Sequence, residues 1–315
     1  MTGDWDHQPV LLEEVIEVLA VRPDGWYVDA TFGRGGHTQG ILGRLGPAGR
    51  ILALDRDPEA IDAGCRRFAT DPRVAVKKGR FSMLREHLDA SGWLTGADGI
   101  LLDLGVSSPQ IDDPVRGFSF QQDGPLDMRM SPDEGDTAAD WLAGAAESEI
   151  EAVLRDLGEE RFARRIARGL VAARSGGRIE RTSQLVAVIQ RCVPRHDPHK
   201  HPATRTFQAL RLVVNQELDE LRRALPQCVA ALKPAGRLAV ISFHSLEDRI
   251  VKQFIRSQEG RAPAVSRYAP PLLEAMTPQR TLRGLGRSLT ASPEEQARNP
   301  RARSARLRAA ERVAA

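Results

Sequence analysis

Six residues with usable chemistry stand close together near the start of the chain: Asp29, Gly33, Gly35, Gly36 and His37 fall within nine positions, and Asp55 follows. The first five lie in Asp29-Ala-Thr-Phe-Gly33-Arg-Gly35-Gly36-His37, between a short apolar run and a helical pattern. There the backbone must turn sharply, and glycine lets a ligand come near without a Cβ in its path. Asp55 closes the next apolar run, placed to accept hydrogen bonds from two ribose hydroxyls. Together these point to a nucleoside cofactor. A dinucleotide fingerprint would need glycine where Thr38 stands, and a phosphate-binding loop would need Gly-Lys followed by Ser or Thr. Neither is present, so a phosphate-free cofactor with a methionine tail, S-adenosylmethionine, fits better. Glycine backbone would line its amino-acid end and Asp55 its ribose, and Phe81 follows the third strand, placed to cover adenine or to serve as core.

A second cluster, Asp103-Leu-Gly105-Val-Ser107-Ser108-Pro109-Gln110, begins at the carboxyl end of a strand, where open α/β sheets bind ligands. A nucleobase amine is a poor nucleophile while its lone pair is delocalised into the ring, so acceptors for its two hydrogens favour attack. Ser107, Ser108 and a carbonyl held outward by Pro109 are candidates for that work, and Asp103 can bind the methionine amine or the target. The turn loosely echoes the Asp/Asn/Ser-Pro-Pro-aromatic motif of amino-methyltransferases; a serine-rich helix cap is the plainer account. Methyl transfer from a sulfonium needs little acid–base help, and alignment can contribute ~7–11 kcal/mol through effective molarity. A base reached in this way is unstacked, with aromatic faces to receive it. Phe118, Phe120 and Phe243 are candidates, with His244 beside the last of them for the base or its phosphate.

The elements that must carry these residues follow from hydrophobic patterning. Trp26–Ala30, Arg50–Asp55, Val74–Val76, Gly99–Asp103 and Leu238–Ile241 are near-continuous apolar runs, as expected of strands buried on both faces of a parallel sheet. Helical patterns at Thr38–Leu45 and Pro58–Phe68 separate the first three. The alternation stops at Asp103 and resumes near Thr206. Between them, Ser148 with Glu151 predicts a capping box, and Thr182 or Ser183 predicts a second helix start. The expectation is an α/β protein: a Rossmann-like methyltransferase fold, its sheet mostly parallel, with an inserted all-helical domain. Residues 1–112 and 206–315 would form the cofactor domain and 113–205 the insertion, reached through a connector from Gly105 to Pro132. From Leu210, the spacing 210, 214, 218, 221, 225 predicts one apolar helix stripe, with Arg211 and Asn215 on the other side, free to meet the insertion or RNA. Ser245 with Asp248 predicts the cap of a helix through Ile250 and Phe254.

Composition bounds the remainder. The 315 residues are 41% hydrophobic and 28% charged, which excludes a disordered chain. Three scattered cysteines suggest neither a disulfide framework nor a thiolate metal site, and fit a reducing cytoplasm. No apolar run reaches the ~20 residues of a membrane span, so no membrane partner is expected. His196, Asp197, His199 and His201 invite a metal, but that stretch lacks the periodic structure to fix ligands, and no metal is expected. The net charge of +3 divides unevenly: from Arg249 to Ala315 there are 14 basic and 5 acidic residues, and from Arg174 to Arg211 there are 8 and 2. A polyanionic partner, bound with steep salt dependence, suits both stretches.

The strings His7-Gln-Pro-Val-Leu, Asp29 to His37, Asp103 to Gln110, Gly124-Pro-Leu-Asp-Met-Arg129, Thr206-Phe-Gln-Ala-Leu-Arg211 with Asn215-Gln-Glu217, and Ser242-Phe-His-Ser-Leu-Glu-Asp-Arg249 resemble the bacterial 16S ribosomal RNA cytosine-N4 methyltransferase family. The resemblance covers nearly the whole chain. It implies methylation of N4 of a cytidine in the decoding region of 16S rRNA, with that rRNA, carried in the small ribosomal subunit, as the partner. It also implies S-adenosylmethionine bound through Gly35, Gly36, His37, Asp55, Phe81, Asp103 and Gln110. Asn299 to Ser304 resembles the family's tail but carries Ala302 where serine is usual, so that hydroxyl is missing. Two rivals stay open: an enzyme that methylates DNA or another RNA, and a non-catalytic assembly factor that keeps the fold.

Overall fold

The computed structural model describes residues 9–193, 201–260 and 280–314. It divides into two compact units: 1–105 with 218–315, and 106–217. Residues 106–112 and 206–217, expected with the cofactor domain, therefore sit in the helical unit.

The first unit runs α1 (Leu12–Leu19), β1 (Trp26–Asp29), α2 (Gly36–Leu42), β2 (Arg50–Asp55), α3 (Pro58–Arg67), β3 (Val74–Lys78), α4 (Leu84–Ala90) and β4 (Ala97–Asp103). The helical unit supplies α5 (Ser108–Asp112), α6 (Ala138–Gly144), α7 (Glu147–Asp156), α8 (Ala163–Arg174), α9 (Thr182–Cys192) and α10 (Thr204–Asn215). The chain then passes through α11 (Glu217–Ala231), β5 (Leu232–Ser242), α12 (Ser245–Gln258), β6 (Leu282–Gly284), α13 (Pro293–Arg298) and β7 (Arg306–Arg312).

One seven-stranded sheet has the order β3-β2-β1-β4-β5-β7-β6. The pairs from β3 to β5 are parallel, and β7 runs antiparallel to both β5 and β6. Chain order reverses direction between β1 and β4, so their carboxyl ends flank the crevice where such sheets take ligands. Alternate residues of each central strand feed opposite cores. Val28, Leu52, Ile100, Leu102 and Val240 meet Leu84, Leu88, Leu221 and Leu225 on one face. Tyr27, Ile51, Leu101 and Ile241 meet Val15, Leu19 and Ile41 on the other. Each such aliphatic side chain, fully buried, contributes ~1.5–3 kcal/mol.

The helical unit has its own core, including Leu126, Ile150, Leu154, Ile166, Leu170, Leu185, Ile189 and Leu210. Several local expectations need correction here. α7 starts at Glu147 with Ala146 as N-cap, so Ser148 and Glu151 form no capping box; Glu147 and Glu149 favour that end by charge instead. Thr182 is the first residue of α9 rather than its cap, and its hydroxyl accepts the Gly124 N–H at 3.1 Å. The stripe from Leu210 to Leu225 is not one helix, because Gln216, at φ 52°, ends α10 before α11 begins. His244, not Ser245, holds the N-cap position of α12. The three cysteines are unpaired, and burial pushes the Cys228 thiol up to about 12. Among the described residues, no helix is long and apolar enough to cross a membrane.

Candidate active site

Three strand ends stand side by side in the sheet unit. Ala30 N–H donates to Leu101 C=O at 3.0 Å, and Phe32 N–H donates to Leu54 C=O at 2.8 Å, tying the exit of β1 to both neighbours. The chain then turns through Gly33 (φ 54°) and Gly35 (φ 73°), left-handed conformations that favour glycine. The turn is also packed from within. A Cβ on Gly35 would fall 2.5 Å from the Phe32 ring, and one on Gly36 would fall 3.0 Å from Pro9. Close packing of the protein itself, rather than room for a ligand alone, thus accounts for these two glycines.

Asp55 lies beside the turn, half-buried. Its Oδ2 accepts the Gly33 N–H at 2.7 Å and its Oδ1 accepts the Asp57 N–H at 2.9 Å. Burial raises its pKa to about 6, against the lowering effect of those two N–H groups. Each carboxylate oxygen has a second lone pair for an incoming hydroxyl.

His37, in the first turn of α2, is 5% exposed, and its Nε2 is 3.4 Å from Asp103 Oδ2, in ion-pair range without hydrogen-bond alignment. Burial pulls the imidazole's pKa down, but the carboxylates of Asp103, Asp29 and Glu295 more than reverse this, leaving it above its ordinary value. Asp103 is positioned by its own backbone, whose N–H donates to Thr31 Oγ1 at 2.6 Å. Among the described residues its Oδ1 is buried and accepts no hydrogen bond. Behind this pair Asp29, 1% exposed, accepts the Thr38 hydroxyl at 2.7 Å, and burial raises its pKa. Thr31 and Thr38 hold the site together, and sequence reasoning misses both. The available signal is a hydroxyl two residues past a strand end or on the first turn of the glycine-led helix.

Phe81 opens a single 3₁₀ turn, Phe81–Met83, and is half-buried against the core that holds Leu54, Leu84 and Leu102. Phe243 is partly buried on the opposite core, and its N–H donates to Glu247 Oε2 at 2.9 Å. His244 Nε2 is 3.0 Å from Glu247 Oε1, yet neither ring nitrogen has an aligned hydrogen-bond partner among the described residues.

The candidates in the helical unit also serve that unit's own structure. Ser107 is the N-cap of α5, with Ser108 and Pro109 in its first turn, and Gln110 Oε1 accepts the Ser107 N–H at 2.9 Å. That is the helix-capping role. Phe118 and Phe120 pack on the helical core, where Phe120 stacks on His201 at 4.4 Å and meets Phe207 edge-on at 5.2 Å. Arg211 makes a two-pronged ion pair with Glu217 at 2.8 and 3.0 Å. Asn215, 1% exposed, donates to Met128 C=O at 2.7 Å and accepts the Met130 N–H at 2.8 Å. It thereby clamps Met128, which is buried in a left-handed conformation at φ 63°. Phe118, Phe120, Arg211 and Asn215 thus have intramolecular roles where contact with RNA is the sequence expectation. Ser131 Oγ and Thr206 Oγ1 are buried there without a hydrogen bond among the described residues. Of the histidine cluster, His196, Asp197 and His199 lie outside the described residues; among those described, no group of acids, histidines and cysteines could hold a metal. Ala302, at the family's usual serine, is fully buried among apolar neighbours.

A sequence model of the MraW methylase family matches residues 4–313. A relative from Thiobacillus denitrificans, named ribosomal RNA small subunit methyltransferase H, is 56% identical over 311 residues, covering 98% of this chain and 97% of its own. One of the same name from Thioalkalivibrio sulfidiphilus is 57% identical over 308 residues, covering 98% of each chain. A third, from Nitrosococcus oceani, is 52% identical over 309 residues, covering 97% of this chain and 96% of its own.

Proposed function

Because the chain belongs to the MraW methylase family, we propose that it methylates N4 of a cytidine in the decoding region of 16S rRNA, using S-adenosylmethionine. The small-subunit rRNA part of this reading is supported by the name shared by relatives of 52–57% identity, aligned almost end to end. The observation that carries the chemistry is Asp103, held at the end of β4 with one buried oxygen lacking a partner among the described residues and His37 against the other.

The residues present fit the cofactor. When bound, S-adenosylmethionine supplies a methyl group already activated by a sulfonium charge. Asp103 Oδ1 would accept from its ammonium group, relieving an unsatisfied buried acceptor, while His37 stands 3.4 Å from the other carboxylate oxygen. The spare lone pairs of Asp55 would accept the ribose hydroxyls, and Phe81 would cover adenine. A cytidine N4 becomes nucleophilic as its lone pair leaves conjugation with the ring. Ser107, Ser108 and the carbonyl before Pro109, four to five residues along the chain from Asp103, would accept its hydrogens. Phe243 and His244 would meet the base.

Mass spectrometry of nucleosides from small-subunit rRNA tests the reading. A strain lacking this chain should lose N4-methylation at one cytidine of 16S rRNA and regain it when the gene is restored. An unchanged methylation pattern would overturn the reading.

A further inference from the structure

The helical unit treats its arginines in two ways. Arg116, Arg174 and Arg205 donate to backbone carbonyls, and Arg129, Arg178 and Arg211 are paired with carboxylates. Arg161, Arg164 and Arg165 have neither kind of partner among the described residues, and all three are exposed. Arg168, one turn further on, reaches Glu147 only at 3.9 Å.

These four residues follow the spacing i, i+3, i+4, i+7, which puts them on one side of α8 and of the turn that leads into it. The opposite side of α8 carries Ala163, Ile166, Ala167 and Leu170 into the core, so the helix cannot turn its arginines inward. Exposed Glu159 precedes the row but makes no ion pair with it among the described residues. The first turn of α8 holds no acidic residue, and Glu160, next in sequence, is buried with its carboxylate accepting the Phe162 N–H at 2.9 Å. Self-stability does not explain the row either. Cations are least favourable at the start of a helix, where the peptide dipoles leave a partial positive charge, and α8 has no side-chain cap there to offset them. Three guanidinium groups without a carboxylate partner among the described residues, on α8 and the turn before it, suit an external polyanion, and the planar fork of arginine matches phosphate oxygens.

We infer that the exposed arginine row Arg161, Arg164, Arg165 and Arg168 is a docking surface for the phosphate backbone of the RNA substrate. The inference rests on the reading that this substrate is small-subunit rRNA. Its contribution is to affinity and register, since phosphate contacts position a partner without reading its bases.

The test compares wild-type protein with the triple variant R161Q/R164Q/R165Q and with the control R155Q. Arg155 is exposed on α7 but already paired with Asp156 at 2.8 Å. Binding to 16S rRNA and to isolated small subunits is titrated across a series of KCl concentrations. Removing one arginine–phosphate pair should flatten the slope of log K against log[KCl] by about 0.7–0.9. The triple variant should therefore flatten it by about two to three, weaken binding at least tenfold near 0.1 M salt, and raise KM for RNA. Its kcat and affinity for S-adenosylmethionine should match wild type, and R155Q should match wild type throughout. An unchanged slope and KM in the triple variant overturn the inference. So does a loss of affinity confined to assembled subunits, which would make the partner a ribosomal protein. Failure of the wild-type protein itself to bind or methylate 16S rRNA would instead overturn the functional reading.

Discussion

The sheet unit and the helical unit each hold residues whose types and spacing mark them for chemistry, and the two treat them in opposite ways. At the strand ends, the marked groups keep unused capacity: Asp103 Oδ1 and both ring nitrogens of His37 and His244 are buried without hydrogen bonds among the described residues. In the helical unit, Gln110 closes a cap, Arg211 is clasped by Glu217, Asn215 holds two backbone groups, and Phe120 lies between His201 and Phe207. Residue type identifies what a group can do; its remaining valence decides whether it is free to do it. An unsatisfied buried polar atom costs about 1–3 kcal/mol, so several at one location need a compensating ligand or a tolerated loss of stability.

The sharpest way to break this contrast is Asp103→Ala. If the free carboxylate oxygen serves the cofactor, methyl transfer should fall roughly 100- to 1000-fold, the scale seen when one charge-stabilising group is removed from an active site. The melting temperature should change little. Near-normal turnover would return Asp103 to the class of structural residues.

Asn215→Ala is the matching test in the helical unit. It leaves the buried Met130 N–H unpaired and releases Met128 from its clamp, so stability should drop by about 2–3 kcal/mol. Denaturant unfolding measures this. A variant as stable as wild type that no longer methylates RNA would make Asn215 a substrate contact after all.

A smaller effect concerns pH. With a pKa of about 6, Asp55 is ionised at pH 7 and largely protonated at pH 5. A raised carboxyl pKa means that the unliganded native state holds a proton the unfolded chain has already released. Stability therefore falls as pH rises from the ordinary carboxylate value to about 6. Cofactor binding has the opposite sign, because ribose hydroxyls need the ionised acceptor. Calorimetric affinity should decline by about tenfold from pH 7 to pH 5. Asp55→Ala should cost ~1–3 kcal/mol at pH 7 and flatten that decline. A steep decline that persists in the variant would assign the titration to another group.

Much of the sheet is legible in the sequence because β1, β2 and β4 are buried on both faces and so read as unbroken apolar runs. β7 is not, since Arg306-Leu-Arg-Ala-Ala-Glu-Arg312 looks like a solvated basic stretch. Its charges are answered only in three dimensions: Arg308 grips Asp248 at 2.7 Å, and Glu311 takes both Arg237 and Arg283. The arginine-rich end of the chain is thus partly an edge of the sheet. The break at Gln216 is hidden for another reason. Apolar periodicity continues across it, and the left-handed residue that ends α10 is a glutamine instead of the glycine or asparagine usual there. At the site, Gly33 and His37 can be found from the glycine-rich turn between β1 and α2, and Asp55 and Asp103 because each closes a strand. Thr31 acts through a hydroxyl lent to a residue 72 positions away, a distance no local pattern reports.

The insertion of the helical unit between β4 and β5 also has a consequence during synthesis. β4 leaves the ribosome with its neighbour β1 already available, but its other edge has no partner until β5 has been made. At about 5–20 residues per second, the intervening stretch takes roughly 6–25 s. For that interval the Gly99-Ile-Leu-Leu edge of a half-built sheet is open, a template for pairing with other chains. A nascent chain thus passes through a hazard that the finished enzyme does not share, and the speed with which the helical insert condenses on its own core sets how little loose polypeptide separates the two halves meanwhile.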